Sequence, residues 1–341
     1  MTEQLFKKAA VFTDIHFGLK SNSRIHNSDC EKFVDWFIEQ AKENNCDVGI
    51  FTGDWHHNRS ALNLTTMDAS LRSLEKLCKA FKEFYFFPGN HDLYYKDKRD
   101  VHSVVFGKHV PGVKVINEPT IIKDVGLVPW MVGDEWKNIV KMKCKYMFGH
   151  FELPHFKMNA MVEMPDTGEV RASDFQNQEL VFTGHFHKRQ HNNNIYYIGN
   201  AFPHNYADAW DDERGMMILE WDGQPQFIDW PECPKYRTVK LSQLLNETES
   251  ILKPSNLYLR VVLDIDISYE EANFIKENFT KQYDIREISL LPNTEENDEA
   301  LTLERGEIEF ESVDQIVTDQ ITKIQSEQYR PSTLLDIYRN L

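Results

Sequence analysis

The sequence predicts an α/β protein: two stacked β-sheets flanked by helices, then a small α/β cap and a helical tail at the C-terminus. Three observations lead there. Up to about residue 100, short apolar runs alternate with stretches of helical periodicity, as βαβ units do. From about Val104 the chain turns to many short β-like runs with few long helices. Five of the apolar runs stop abruptly at Gly, Asp, Asn or His, so their polar ends can meet at one edge of the sheets.

Lys8 to His16 reads as the first strand, and Ser28 with Glu31 three residues on predicts the capped start of a helix whose Phe33, Trp36, Phe37 and Ala41 share a face. Asp47 to Thr52 is a short buried strand, and Gly53 lets the backbone turn so that Asp54 projects from its end. A second helix carries Leu64, Met67, Leu71, Leu74, Leu77, Cys78 and Phe81 at helical spacing and leads to the strand end Phe86-Phe87-Pro88-Gly89-Asn90-His91-Asp92. Short β-like runs follow at 113–117, 120–122, 127–131, 146–150, 180–187, 195–198, 215–221 and 226–230. Pro231 and Pro234 mark a boundary, which closes a main domain over 1–232. Residues 235–292 read as β-α-β-α-β, a small cap: strands 236–241, 257–267 and 285–291, helices 242–252 and 269–282. Residues 293–312 are acidic with Arg305 as the single base, an extended solvated linker. In 313–341, Val313, Ile316, Val317, Ile321 and Ile324 share one helical face, and Leu334, Ile337, Tyr338 and Leu341 another after Pro331. These stripes either pack on the chain's own core or dock on a partner, and a tethered apolar helix pair favours the partner.

At 341 residues with 41% apolar content the chain can bury a sizeable core. Five scattered cysteines without a CxxC spacing fit a reducing compartment. No run of about 18 apolar residues occurs and the N-terminus lacks the pattern of a signal peptide, so the expected place is the cytoplasm, with no membrane partner. The net charge of −16 argues against nucleic acid at first sight, but residues 242–341 hold 21 acids against 9 bases. The acidity belongs mainly to the C-terminal third. Basic side chains beside the polar strand ends, namely Lys20, Arg24, Arg59, Lys96, Lys98, Arg99, Lys188 and Arg189, are the candidate DNA-phosphate contacts.

The strand ends carry Asp14-Ile15-His16, Gly53-Asp54-Trp55-His56-His57, Gly89-Asn90-His91-Asp92, Gly149-His150 and Gly184-His185-Phe186-His187. Carboxylate, imidazole and amide oxygen together suit manganese, iron or zinc over calcium, and the lack of cysteine disfavours a structural zinc site. Two cations about 3.5–4 Å apart need a bridging ligand, which the two oxygens of a carboxylate such as Asp54 provide.

In order and type these five motifs, over residues 8 to 230, resemble those of the calcineurin-like binuclear metallophosphoesterases, whose fold is a four-layer α/β/β/α sandwich. The resemblance implies that Asp14, His16, Asp54 and His187 hold one metal and that Asp54, Asn90, His150 and His185 hold the other. It implies that His91 contacts the phosphate or protonates the leaving oxygen, with Asp92 orienting it. His57 stands three residues after Asp54, as in the Gly-Asp-x-x-His form of the SbcD-type DNA repair and recombination nucleases, and above all in their phage-encoded members. His57 is then either a catalytic or phosphate contact or a loop histidine bonded to backbone; His56 is expected to be exposed, and the remaining histidines to lie on the surface without a role.

That second resemblance implies a DNA exonuclease and single-strand endonuclease using two Mn2+, with Mg2+ as the alternative. It implies a homodimer contact through the Leu64 to Phe81 helix, and a separate coiled-coil ATPase of the structural-maintenance type, bound by the C-terminal helices, that gates access. The chain has no GxxxxGK[ST], so ATP is the partner's affair. One departure stands out: after Ile198-Gly199 the chain reads Asn200-Ala201-Phe202-Pro203-His204-Asn205 where many relatives have a Gly-Ser turn. The competing readings are a phosphomonoesterase or cyclic-nucleotide phosphodiesterase on the same metals, and a non-catalytic scaffold subunit.

Overall fold

The computed structural model describes residues 3–158 and 162–292; the acidic linker and both C-terminal stripes lie outside the described residues. Two six-stranded sheets form the centre. The first runs Gln226–Asp229, Gly215–Glu220, Lys8–Phe12, Val48–Phe51, Glu83–Phe86, Val113–Val115. Its last four strands are mutually parallel. The second runs Gln190–Asn192, Ile195–Tyr197, Leu180–Gly184, Tyr146–His150, Val125–Val128, Thr120–Ile122.

Alternation along each strand builds the layers. In Lys8–Phe12, Val11 joins Ile50, Tyr85, Phe148 and Phe182 between the sheets. Phe12 faces the other way, onto Phe33, Phe37 and Leu74 of the helices Arg24–Glu43 and Leu64–Ala80. Both faces are therefore covered, which is why these strands read as unbroken apolar runs. On the far side of the second sheet, Met147, Val181 and Tyr197 pack under Ile139, Phe151, Phe156 and Phe175. The outer layer there is thin: the short helix Trp136–Ile139, single 3-10 turns and the loop that follows His150. The architecture is an α/β/β/α sandwich whose fourth layer is mostly loop.

One local expectation is corrected. The first long helix begins at Arg24, capped by Ser23, whose side chain accepts from His26 N, and not at Ser28. Its first turn is polar because it braces a loop: the His26 ring lies 3.0 Å from the His16 carbonyl, and Asn27 accepts from Gly18 N at 2.8 Å. In addition, Leu93–Tyr95 and Lys98–His102 form a hairpin that the sequence reading passed over. Among the described residues, no helix is long and apolar enough to cross a membrane.

The three parallel strands Lys235–Lys240, Leu257–Leu263 and Ile285–Pro292 form a third sheet with its own core of Val239, Leu244, Leu259, Val261 and Ile288. The predicted helix 242–252 is two, Leu241–Asn246 and Thr248–Leu252. This sheet belongs to the same compact unit as the sandwich, Met1–Asn293. Arg286 grips Asp29 of the first long helix through both carboxylate oxygens, one at 2.8 Å, with Asp29 itself 3% exposed. Arg286→Ala leaves that carboxylate buried and unpaired, so urea unfolding is expected to show a loss of about 2–3 kcal/mol, the low end for a broken buried pair because Arg286 keeps some solvent. Asp29→Ala/Arg286→Ala together should lose less than Arg286→Ala alone; an equal or larger loss sinks the pairing argument.

Candidate metal centre

Where the parallel strands end, the backbone enters the left-handed region at four residues that are not glycine: Asp14 (φ 49°), His16 (φ 51°), Asp54 (φ 63°) and His185 (φ 89°). Such conformations cost about 1–3 kcal/mol each and persist only where their surroundings impose them. Here two strand ends brace each other. Asp14 N donates to Gly53 O (3.0 Å), His16 N to Asp54 O (3.1 Å), Phe17 N to Trp55 O (2.8 Å) and His57 N to Phe17 O (3.0 Å). Gly53 and Gly89 allow the close approach: a Cβ on Gly53 would lie 2.5 Å from His150 Nδ1, and one on Gly89 2.1 Å from Asp54 Oδ1.

Asp54 sits at the middle of what these turns assemble. Its Oδ2 is 3.6 Å from His16 Nε2 on one side and 3.4 Å from His150 Nε2 on the other. Asp14 Oδ1 is 3.9 Å from His16 Nε2, and the His187 ring is 5.3 Å from that of His16. On the second side Asn90 Oδ1 lies 3.1 Å from His150 Nε2 and 3.0 Å from His185 Nδ1. His150 Nδ1 is 2.9 Å from the Thr52 carbonyl. A carbonyl only accepts, so Nδ1 carries a proton and Nε2 is the nitrogen that faces Asp54 and Asn90. All seven predicted ligand residues are thus together, and the donor atoms of Asp14–His16–Asp54 and of Asp54–His150–His185 each lie within 4.8 Å of one another.

These residues fit divalent cations. His16 is buried, yet neither of its ring nitrogens has a hydrogen-bond partner among the described residues. Burial and the imidazoles of His91 and His204 hold its pKa well below the usual histidine value, so it is neutral and can donate an electron pair. Against the cost of burial, His150 and His91 keep Asp54 below the ordinary carboxylate range. A set of carboxylates, imidazoles and one amide oxygen suits borderline divalent metals.

His91 stands over this cluster, its N donating to Asp54 Oδ1 (2.9 Å) and its ring 4.8 Å from His16. Its Nδ1 is 3.1 Å from the His57 carbonyl, which puts a proton there and fixes the ring. Asp92 does not orient His91. Its Oδ2 accepts from Gly89 N, Asp54 N and Trp55 N (2.9, 3.0, 3.1 Å) and its Oδ1 from His56 N and Ser103 Oγ (2.9, 3.1 Å). It is the tie that folds the Asp54 turn. The expectation for His56 is also corrected: it is fully buried between Ser70 and Ser103 (3.0 and 2.9 Å), while the His57 ring stacks on His91 at 5.3 Å and has its donor atom within 4.8 Å of those of His16 and His91. His57 holds His91 through its carbonyl.

The basic candidates divide. Arg99 is buried, bound by Glu135, Glu118 and the carbonyls of Asn117 and Trp130, so it serves the fold and not DNA. Arg189 pairs with Asp229 (2.6 Å) and Lys188 with Asp211 (3.5 Å). The Lys20 ammonium bonds Tyr236 Oη and lies 3.9 Å over the Tyr258 ring, committed to the cap. Arg24, Lys96 and Lys98 are exposed and Arg59 half-buried.

Sequence reasoning missed His204. It is buried, with its ring 5.2 Å from His16 and 5.3 Å from His187. The available signal was the departure at 199–205, one more strand end running through glycine into polar residues.

Residues 7–189 match the family model described as calcineurin-like phosphoesterase. Exonuclease subunit 1 of Enterobacteria phage T4 is 23% identical over 326 residues, 91% of each chain. The crystal structure of TT1561 of Thermus thermophilus aligns with 66% of this chain and 99% of its own (TM-score 0.41, 11% identity). The Pseudomonas putida nuclease MPE aligns with 52% of this chain and 61% of its own (TM-score 0.28, 19% identity).

Proposed function

The chain belongs to the calcineurin-like phosphoesterases, a family of binuclear metal-dependent hydrolases, and on that premise we propose that it is a manganese-dependent DNA phosphodiesterase, an exonuclease and single-strand endonuclease. It works as the nuclease subunit of an SbcCD-type recombination and repair complex gated by a coiled-coil ATPase. The likeness to the phage exonuclease subunit, which runs the length of both chains, supports this reading.

The observation that carries it is the hairpin leaving His91-Asp92. It exposes Tyr94 and Tyr95 (51% and 47%) one after the other, with Lys98 Nζ 5.9 Å from the Tyr95 ring. Exposed aromatics interleaved with ammonium groups beside a phosphoryl site suit unpaired bases and their backbone. A small phosphomonoester has no use for them. Asp54 and its neighbours would hold two divalent cations, which when bound would supply Lewis-acid polarisation of a phosphoryl group and acidification of water. His91, its ring fixed by the His57 carbonyl, delivers a proton from Nε2 to the departing oxygen. Leu64 and Met67, exposed at the start of the helix Leu64–Ala80, offer the homodimer contact, and the C-terminal segment 313–341 the ATPase contact.

The test is cleavage of end-labelled single- and double-stranded DNA with Mn2+ or Mg2+, with and without the ATPase and ATP, alongside bis-p-nitrophenyl phosphate. Tyr94→Ala/Tyr95→Ala is expected to weaken single-strand affinity roughly 30-fold or more, at ~1–3 kcal/mol for each of two stacked bases, and to spare the small ester. Turnover of p-nitrophenyl phosphate without any DNA cleavage overturns the proposal in favour of a phosphomonoesterase.

A further inference from the structure

His204 is an unexplained imidazole beside the centre. It is 1% exposed, and neither ring nitrogen has a hydrogen-bond partner among the described residues. A buried polar atom left unmatched is costly, so two on one ring call for a partner. The donor atoms of His16, His187 and His204 lie within 4.8 Å of one another. Neither ring nitrogen of His16 has a partner among the described residues either, so the clustered rings do not satisfy each other.

The turn that carries the ring is built to stay. Asp208 Oδ2 accepts from His204 N (2.8 Å) and from Asn200 Nδ2 (3.3 Å). Asp208 is neutralised in turn by Arg214 at 3.5 Å, a guanidinium 1% exposed that also forks onto Asp211 at 2.8 and 2.9 Å. Fixing a turn with a buried ion pair and then leaving its imidazole unmatched is poor energetics. A shared cation would match one nitrogen of each ring, since it takes one lone pair from each.

We propose that His204 is a further ligand of the cation held by Asp14, His16 and His187. The assignment rests on the metal centre and not on the identity of the substrate. That half of the centre then has three imidazoles, against two imidazoles and an amide oxygen in the half built on Asn90, His150 and His185. Imidazole favours manganese, iron or zinc over magnesium, which prefers oxygen ligands and its own water. The two halves therefore differ in affinity and in selectivity.

The test uses the full-length chain, stripped with chelator and titrated with Mn2+ while free Mn2+ is followed by electron paramagnetic resonance. Wild type is expected to take two ions, the tighter showing three nitrogen couplings in spin-echo spectra. His204→Ala should weaken one site at least tenfold, leave the other unchanged and remove one coupling, and Mg2+ should compete better. His16→Ala is the control that must disturb the same site. Should His204→Ala fold poorly, His204→Gln and the coupling count in wild type decide. Wild-type affinities in His204→Ala, or two nitrogen couplings at the tighter site of wild type, overturn the assignment. Two ions bound normally without DNA cleavage would refute the nuclease reading and leave this one standing.

Discussion

Asp54→Asn is expected to cut hydrolysis of bis-p-nitrophenyl phosphate and of DNA by about a thousandfold or more while the protein stays folded. The carboxylate stands between the two halves of the centre, 3.6 Å from His16 and 3.4 Å from His150, and no other acid among the described residues touches both. An amide offers one oxygen and no charge, so it cannot bridge. Electrostatic stabilisation by a paired metal site amounts to several kcal/mol, and each 1.36 kcal/mol is tenfold in rate. The fold should barely notice. Asn keeps an oxygen to accept from His91 N, and without metal a buried anion beside Asp14 is removed. Melting curves separate the two effects. Wild type should gain stability with Mn2+, about 2.7 kcal/mol per site at a hundred times Kd, and Asp54→Asn should lose most of that gain. Activity within tenfold of wild type would falsify the bridging role.

The centre was legible because each ligand sits where a buried apolar run ends, and an acid or imidazole there has few structural reasons to exist. The succession of strands and helices along the chain could be read for a related cause: period-2 and period-3.6 patterns are local. What could not be read is which side a residue faces within a turn, and what distant residue meets it. His56 and His57 are neighbours, yet one is locked between Ser70 and Ser103 while the other faces His91. Arg99 and Glu135, or Arg189 and Asp229, stand far apart in the sequence and meet only in the fold, so their cations looked available for DNA and are spent on acids. His204 escaped because its turn matches no strand-end motif of the family, although Asp208 and Arg214 hold it as firmly as any ligand.

Asp92 gives the other large effect, and here sequence neighbourhood and geometry predict opposite outcomes. An aspartate that merely orients His91 could be replaced by Asn with loss of rate and no loss of stability. Instead, five donors converge on this carboxylate: the amides of Gly89, Asp54, Trp55 and His56, and the Ser103 hydroxyl. Burial and the neighbouring Asp54 raise its pKa, and the donors keep the charged form matched. Asp92→Ala strands four buried amides at about 1–3 kcal/mol each, a loss on the scale of the ~5–15 kcal/mol that holds a domain together. That variant is expected to be insoluble or unfolded. Asp92→Asn can still serve the three amides on Oδ2, but turns an NH2 toward His56 N, so a loss of about 2–3 kcal/mol is expected by urea unfolding. Because the Asp54 turn hangs from the same atoms, affinity for Mn2+ should fall in parallel with stability. A variant Asp92→Asn that unfolds at the wild-type urea concentration, yet hydrolyses esters slowly, would return the residue to the service of His91.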